Sequence, residues 1–423
     1  MVSAVNEPKT TEHFANAPVP ESETVGGWRV ALILIGFAIS LPSFLSSAQI
    51  SAALGMRDAV FVGFVAGLIL CAMGCLTSLV SVRTRLTTYL LVQRSFGIRG
   101  AALVNIAIAF VHFGWFGVNA AFFGDAMVAG TQEVLGVSGP FAAFVIVGGL
   151  LMAITTIYGF RALDRLALFA VPILALILGA VVVMAVRRYG VVSAPDPTPP
   201  EPMTFGIALS ALIGGNMLTV AAMPDLTRYI RSARESILGM VLSFPVATPL
   251  LTLAAAIPVL ATSEIDIMKL IIGFGLGVPA LLVLILSTWT INSANLYSAS
   301  LSLTATFPKV PQWKFTIVAG LLGSLIAVAG ILDAFVSFLL LLGAIIPPIA
   351  AIYVIDAFRS RSSPGPVNWP AIVTWAVSAG IALLANSGYF TLTTVPALDA
   401  TLAASLIYGI WSRVGRNARW VVD

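Results

Sequence analysis

Apolar residues in this chain fall into long runs, separated by short segments that carry arginine, lysine, proline or glycine. A helix needs about 20 apolar residues to cross the ~30 Å hydrocarbon core of a bilayer. Twelve runs approach or exceed that length, at about 28–53, 59–82, 101–132, 140–160, 163–186, 204–223, 237–261, 278–306, 312–331, 333–357, 368–386 and 394–412. The pattern predicts an all-α polytopic membrane protein of twelve transmembrane helices. Only Gly330–Asp333 divides the ninth from the tenth. Residues 1–27 are polar, acidic and proline-containing, without the basic-then-apolar order of a signal peptide, which predicts a disordered cytoplasmic tail.

Two runs carry an interruption near their centres. The first reads Ser40-Leu41-Pro42-Ser43, and the sixth reads Ile213-Gly214-Gly215-Asn216. Proline removes a backbone donor and glycine weakens a helix, so both sites are expected to expose backbone groups at mid-membrane. They open two blocks of five spans, one to five and six to ten. A block with an odd number of spans is followed by a copy of opposite orientation. Interruptions at matching places in two such halves point to a transporter's binding site. The third span of each block adds polar and aromatic residues at the same depth, Trp115 in span three and Asn292 in span eight. At 1.5 Å per residue, Ser40–Ser43, Trp115, Gly214–Asn216 and Asn292 fall within about two turns of the bilayer centre.

Composition agrees. The chain is 59% hydrophobic and 9% charged, where soluble domains carry about 25% charged residues. With the N-terminus in the cytoplasm, all but Arg57, Arg187, Arg188 and Lys269 of the 22 basic residues lie inside, as the positive-inside rule requires. An even number of spans returns the C-terminus to the same side, so a multi-pass protein of the inner (plasma) membrane with both termini cytoplasmic is expected. The net charge of +4 reflects this topology, and no basic stripe with interleaved aromatics suggests nucleic acid. Cys71 and Cys75 have no further metal ligands nearby and read as small core residues. No nucleophile–base pair, phosphate loop or charged pore ring marks an enzyme or a channel.

The candidate site centres on His112-Phe113-Gly114-Trp115-Phe116-Gly117-Val118-Asn119. Its spacing puts His112, Trp115 and Asn119 on one helical face, and the flanking glycines are expected to leave the indole open to a flat partner. Trp115 offers a π-face. Asn119, Asn216, Asn292, Ser287 and the freed backbone at Gly214 and Gly215 offer donors and acceptors. Each asparagine alone reads equally as interhelical glue, and His112 as a base reader, a proton carrier or a satisfied core histidine. Carbonyls near Ser40 and Ser43, with the hydroxyls of Ser287 and Thr290, form a candidate sodium cradle. Proton coupling stands beside sodium. Asp125, about 15 Å from Trp115 along the helix, reads as a rim or gate residue. Asp225 with Arg228 reads as an inner-gate ion pair or a structural anchor, and Asp333 and Asp356 mark the ends of span ten.

These residues resemble the nucleobase–cation symporter family 1, nearest its bacterial cytosine/purine permease branch. The resemblance covers nearly the whole chain. It is carried by Thr84-Arg85-Leu86-Thr87-Thr88-Tyr89-Leu90-Leu91, Ser95-Phe96-Gly97, Gly114-Trp115-Phe116-Gly117-Val118, and Asp225 with Arg228. Trp289-Thr290, Asn292, Leu296-Tyr297, Ile346-Pro347-Pro348 and Val367-Asn368-Trp369 complete it. It implies a leucine-transporter-type fold of ten core helices in a 5+5 inverted repeat (28–357), with two further helices and a cytoplasmic C-terminus (358–423). It also implies a monomeric carrier importing a nucleobase or similar heterocycle with sodium or a proton, Trp115 being the stacking tryptophan and Asn292 the asparagine of span eight. His112 falls where cytosine permeases have a base-bonding Gln, and Asn119 where the hydantoin branch has one. Asn216 replaces a second aromatic, Ser287 a ligand-contacting Asn, and Ile291 a sodium-coordinating hydroxyl. Those departures leave open the choice of base, the choice of ion, and a related ureide or vitamin precursor as cargo.

Overall fold

Inside a bilayer every backbone amide needs a partner within the chain, so spanning segments are helical. The computed structural model describes residues 18–27, 40–191, 203–307, 309–359 and 365–414, without the side chains at 158–171, 279–280, 283, 305 and 414. Its helices are α1 (Leu41–Thr84), α2 (Thr88–Phe96), α3 (Ile98–Leu135), α4 (Phe141–Tyr189), α5 (Phe205–Ala221), α6 (Met223–Thr227) and α7 (Ala233–Thr262). Then follow α8 (Ile267–Gly273), α9 (Gly277–Thr306), α10 (Gln312–Val328), α11 (Phe335–Arg359), α12 (Trp369–Asn386) and α13 (Pro396–Val414). Helices α1, α3, α7, α11 and α12, and the Pro172–Tyr189 part of α4, are each long and apolar enough to cross a membrane. Leu176, Phe110 and Leu250 stand exposed along them, as side chains that face lipid do. The protein is a multi-pass membrane protein.

The helices form two packed groups. In one, α1 lies along α7 and α5, and α5 along α11; in the other, α3 lies along α9 and α10, with α4 against both. One buried core draws mainly on α3, α4, α9 and α10, a second on α1, α2, α5, α7 and α11. Trp115 and Phe338 pack against both cores and so mark the seam between the groups.

Several predicted boundaries move. Residues 28–39 lie outside the described residues, but α1 starts at the expected interruption: Ser40 is extended (φ −139°, ψ 157°) and caps it, with Pro42 in the first turn, where a missing N–H costs nothing. The boundary between the first two spans falls at Gly55 (φ 79°, ψ 170°). The fourth and fifth predicted spans are one helix, α4, without an end at 161–162. The sixth is the main correction. α5 runs helical through Gly214-Gly215-Asn216, and the break comes at Ala222 (φ −89°, ψ 6°), between α5 and α6. Between α10 and α11 the expected division holds, at Gly330 (φ 88°), whose carbonyl accepts from the Asp333 amide at 3.1 Å.

The predicted disordered tail is also corrected, for residues 18–27. Val19 is buried, and its amide donates to the Arg85 carbonyl at 3.2 Å. Val25 forms a parallel bridge with Ile230, donating to the Tyr229 carbonyl at 2.7 Å and accepting from the Arg231 amide at 3.2 Å. The Arg85 guanidinium donates to the carbonyls of Arg228 at 2.9 Å, Arg231 at 3.2 Å and also Ile230, tying down the same turn. Polar composition hid this strap because two valines and free backbone groups are enough to dock it. Gly27 lies so close that a Cβ would come within 2.6 Å of the Glu235 carbonyl oxygen. Gly27→Val is therefore expected to lift the strap and raise cleavage after Glu21 and Glu23 by endoproteinase Glu-C about tenfold, a loss of roughly 1.4 kcal/mol of docking. Mass analysis of the fragments from detergent-solubilised protein measures it, and unchanged cleavage counts against the docking.

At the same end, Asn368 explains a motif residue. Its Nδ2 donates to the Ser95 carbonyl at 2.6 Å and to Tyr408 Oη at 3.0 Å, and Tyr408 donates to Asp356 at 2.8 Å. This chain joins α2, α11, α12 and α13.

Candidate functional site

A cavity opens beside the seam. It is lined by Pro42, Ser43 and Ser46 of α1, Trp115 of α3, Ala211, Leu212, Gly215 and Asn216 of α5, and Phe335 and Leu339 of α11. The half-buried indole of Trp115 is the large π-surface in it, and the rings of Phe335 and Phe338 stand nearly perpendicular to that indole at centroid distances of 6.4 and 5.4 Å. Ser40 and Ser43 share a hydroxyl contact of 2.8 Å, and Ser46 Oγ donates to the Ser43 carbonyl at 3.0 Å. Asn216 Nδ2 donates to the Leu212 carbonyl at 3.0 Å. The polar groups thus come from α1 and α5, and the aromatic ones from α3 and α11.

Glycines expected to open the site instead close helix contacts. A Cβ on Gly114 would lie 2.4 Å from the Phe338 ring, and one on Gly117 would lie 2.9 Å from Ile326 and 3.0 Å from the Gly323 carbonyl oxygen. The glycines beside Trp115 therefore admit α11 and α10; they do not bare the indole. Gly214 is packed harder still, a Cβ there falling 2.0 Å from the Leu339 carbonyl oxygen. Because α5 is unbroken here, the backbone at Gly214 and Gly215 is not freed for a ligand.

The remaining candidates lie along the α3–α9 contact. Asn119 Nδ2 donates to the Trp115 carbonyl at 2.9 Å, and Asn292 Nδ2 to the neighbouring Phe116 carbonyl at 3.2 Å. Both side-chain oxygens are buried and unpartnered, as is the Ser287 hydroxyl. Buried acceptors are normally satisfied, so these three are groups with bonds still to make. His112 is not among the cavity's lining residues. It faces α9, with Nδ1 3.4 Å from Asn295 Oδ1. Thr290 Oγ1 donates to the Ser287 carbonyl at 2.9 Å, which leaves its own lone pairs to accept. An orphaned hydroxyl beside a second one suits a hard cation such as sodium, although Ile291 contributes no oxygen. The cradle's halves, Ser40 with Ser43 and Ser287 with Thr290, belong to different helix groups.

Of the predicted end-of-span residues, Asp225 accepts from the Thr88 amide at 2.8 Å and so caps α2. Arg228 donates to Tyr229 Oη at 2.8 Å and lies 4.8 Å over that ring. Asp125 shares its field with the carboxylates of Asp266 and Asp333. Sequence reasoning missed Phe335, Phe338 and Leu339. Their only signal is i, i+3, i+4 spacing on one face of α11, which any buried helix shows.

An extended, capping Ser40 at the start of α1, a break after α5, and a small polar–aromatic cavity beside the seam of two helix groups define a solute carrier of the membrane. The chain belongs to the family described as permease for cytosine/purines, uracil, thiamine and allantoin, which it matches over residues 18–366. It is a transporter and not an enzyme. It is 29% identical over 405 residues to the cytosine permease of Escherichia coli O157:H7, spanning 94% of this chain and 93% of that one. It is 24% identical over 451 residues to the hydantoin permease of Microbacterium maritypicum, spanning 93% and 88%. Among solved structures, the inward-facing conformation of Mhp1 matches with a TM-score of 0.85 at 21% identity, over 98% of this chain and 96% of that one. A closed conformation of Mhp1, a nucleobase–cation-symport-1 family transporter, with bromovinylhydantoin bound matches at 0.73 and 20%, over 97% of each. A Na+-coupled sialic acid symporter matches at 0.64 and 14%, over 93% and 90%. The fold is the all-α, leucine-transporter-type membrane-transporter fold.

Proposed function

We propose that this protein is a secondary-active importer of a nucleobase-like heterocycle in the inner membrane, with both termini cytoplasmic. The observation that carries the reading is the Trp115 indole, exposed to a small cavity beside the seam of two helix groups. A flat heterocycle stacks on that face, and Ser43, Ser46 and Asn216 bond its edge. Asn119 and Asn292 hold unspent acceptors one step further into the seam, and a shift of α3 against α9 brings them to the cargo. Sodium is the coupling ion favoured here, held by Ser287 and Thr290 and completed by carbonyls at Ser40 and Ser43 when the two helix groups close on each other. The buried, unpartnered Ser287 hydroxyl supports that choice, as does a Na+-coupled symporter among the structural neighbours. Bound there, the ion would be carried inward with the cargo, and its descent of the membrane gradient would drive the uptake.

A second reading, a carrier for allantoin or a hydantoin, draws on the hydantoin permease relative and the bromovinylhydantoin complex. Uptake into proteoliposomes under separately imposed sodium and proton gradients decides both questions. Labelled cytosine, uracil, adenine, hypoxanthine and allantoin form the panel. Saturable base uptake driven by sodium is the expected result. Uptake of allantoin alone favours the second reading, and uptake of none of the four bases defeats the first.

A further inference from the structure

The objects standing around the indole decide what shape of guest it can hold. A ring that sandwiches a flat ligand lies parallel to the platform beneath it. Phe335, the first residue of α11, instead stands at 76° to the indole with centroids 6.4 Å apart, and it lines the same cavity. A ring in that attitude gives a stacked ligand no second face; it ends the platform. Phe335 is only 1% exposed, so its surroundings hold it in place. Phe338 stands beside it at 77° to the same indole, pressed over Gly114, and Leu339 extends the apolar wall. Asn216, on the α5 side, is polar and supplies no ring.

We infer that Phe335 is a specificity-determining residue whose ring closes one end of the Trp115 platform and restricts the carrier to single-ring heterocycles. The inference rests on the base-carrier reading and narrows its substrate class. A single ring stacked on the indole needs only the stretch between the polar groups of α1 and α5 and the Phe335 wall. A purine stacked on the same face needs the in-plane length that Phe335 removes.

The test compares cytosine and uracil with adenine and hypoxanthine for proteoliposome uptake by wild type, Phe335→Ala and Phe335→Leu. Wild type is expected to favour single rings at least about tenfold, within the range a pocket wall delivers. Both variants are expected to narrow that ratio at least about fivefold, chiefly through gained purine uptake. Wild-type uptake of purines as fast as pyrimidines overturns the inference without any variant. An unchanged ratio in monodisperse Phe335→Leu overturns it too, while leaving the carrier reading in place. If wild type carries no base of either size, the carrier reading falls and this inference falls with it. Phe335→Leu keeps most of the buried volume, so the comparison survives a Phe335→Ala that does not fold.

Discussion

Replacing Trp115 with alanine is expected to lower the uptake efficiency of the cargo by about 10- to 100-fold. Stacking of a base on an aromatic side chain is worth roughly 1–3 kcal/mol by alanine substitution, and each 1.4 kcal/mol is a factor of ten. The indole is also structural, since it packs against both cores and against Phe335 and Phe338. Trp115→Phe separates the two roles, because it keeps a π-face and most of the packing. Uptake kinetics and size-exclusion profiles of both variants make the measurement. Near-wild-type uptake by Trp115→Phe with deep loss in monodisperse Trp115→Ala is the expected pair of results. A monodisperse Trp115→Ala that transports at the wild-type rate takes the platform out of the mechanism.

How legible this site was in the sequence depends on what kind of signal each residue sends. The all-helical membrane class was readable because a bilayer imposes one length and one polarity on every crossing, whereas boundaries such as that between the fourth and fifth spans were not. The interruption at Ser40 was readable because proline at position 42 lacks an amide proton, and the extended backbone at Ser40 is where α1 begins. Trp115 was readable as a cavity residue from its depth and its resemblance to a stacking tryptophan. Its partners were not, because Phe335 and Phe338 reach it from α11, more than 200 positions along the chain, and no local pattern encodes that meeting. His112 misled through helical periodicity: spacing put it near Trp115, yet its ring turns to Asn295 on α9. The strap at 18–27 was hidden by its composition, since docking there relies on backbone bonds that any sequence can make.

The glycines of α5 show a deeper ambiguity. Glycine weakens a helix and also lets two helices touch, and a sequence does not say which property is in use. Here the arbiter was present but easily overlooked. Gly206, Ser210 and Gly214 repeat at intervals of four, the small-residue stripe along which membrane helices approach closely. In the structure each meets a neighbour: a Cβ on Gly206 would lie 2.1 Å from the Thr394 carbonyl oxygen, Ser210 Oγ accepts from the Ala397 amide at 3.1 Å, and Gly214 meets α11. Gly215, one step round the helix, faces the cavity.

Gly214→Ala is therefore expected to be far more damaging than Gly215→Ala, although the two substitutions are chemically identical and adjacent. At 214 the new methyl would sit 2.0 Å from the Leu339 carbonyl oxygen and 2.9 Å from the Gly343 amide nitrogen, all backbone of α11. Backbone in a packed helix cannot rotate aside, so α5 and α11 must part. Overpacking costs roughly 1–3 kcal/mol, occasionally more, and a collision with main chain belongs at or above the top of that range. At 215 the nearest atom is the Leu339 Cδ2 at 3.2 Å, the far end of a rotatable side chain and not main chain. Thermal unfolding in detergent is expected to fall by several degrees for Gly214→Ala and little for Gly215→Ala. Transport is expected to follow, because parting α5 from α11 separates Gly215 and Asn216 from Phe335 and Leu339 across the cavity. Equal stability of the two variants would mean that α5 and α11 do not touch at Gly214, and that the backbone there is again available to a ligand.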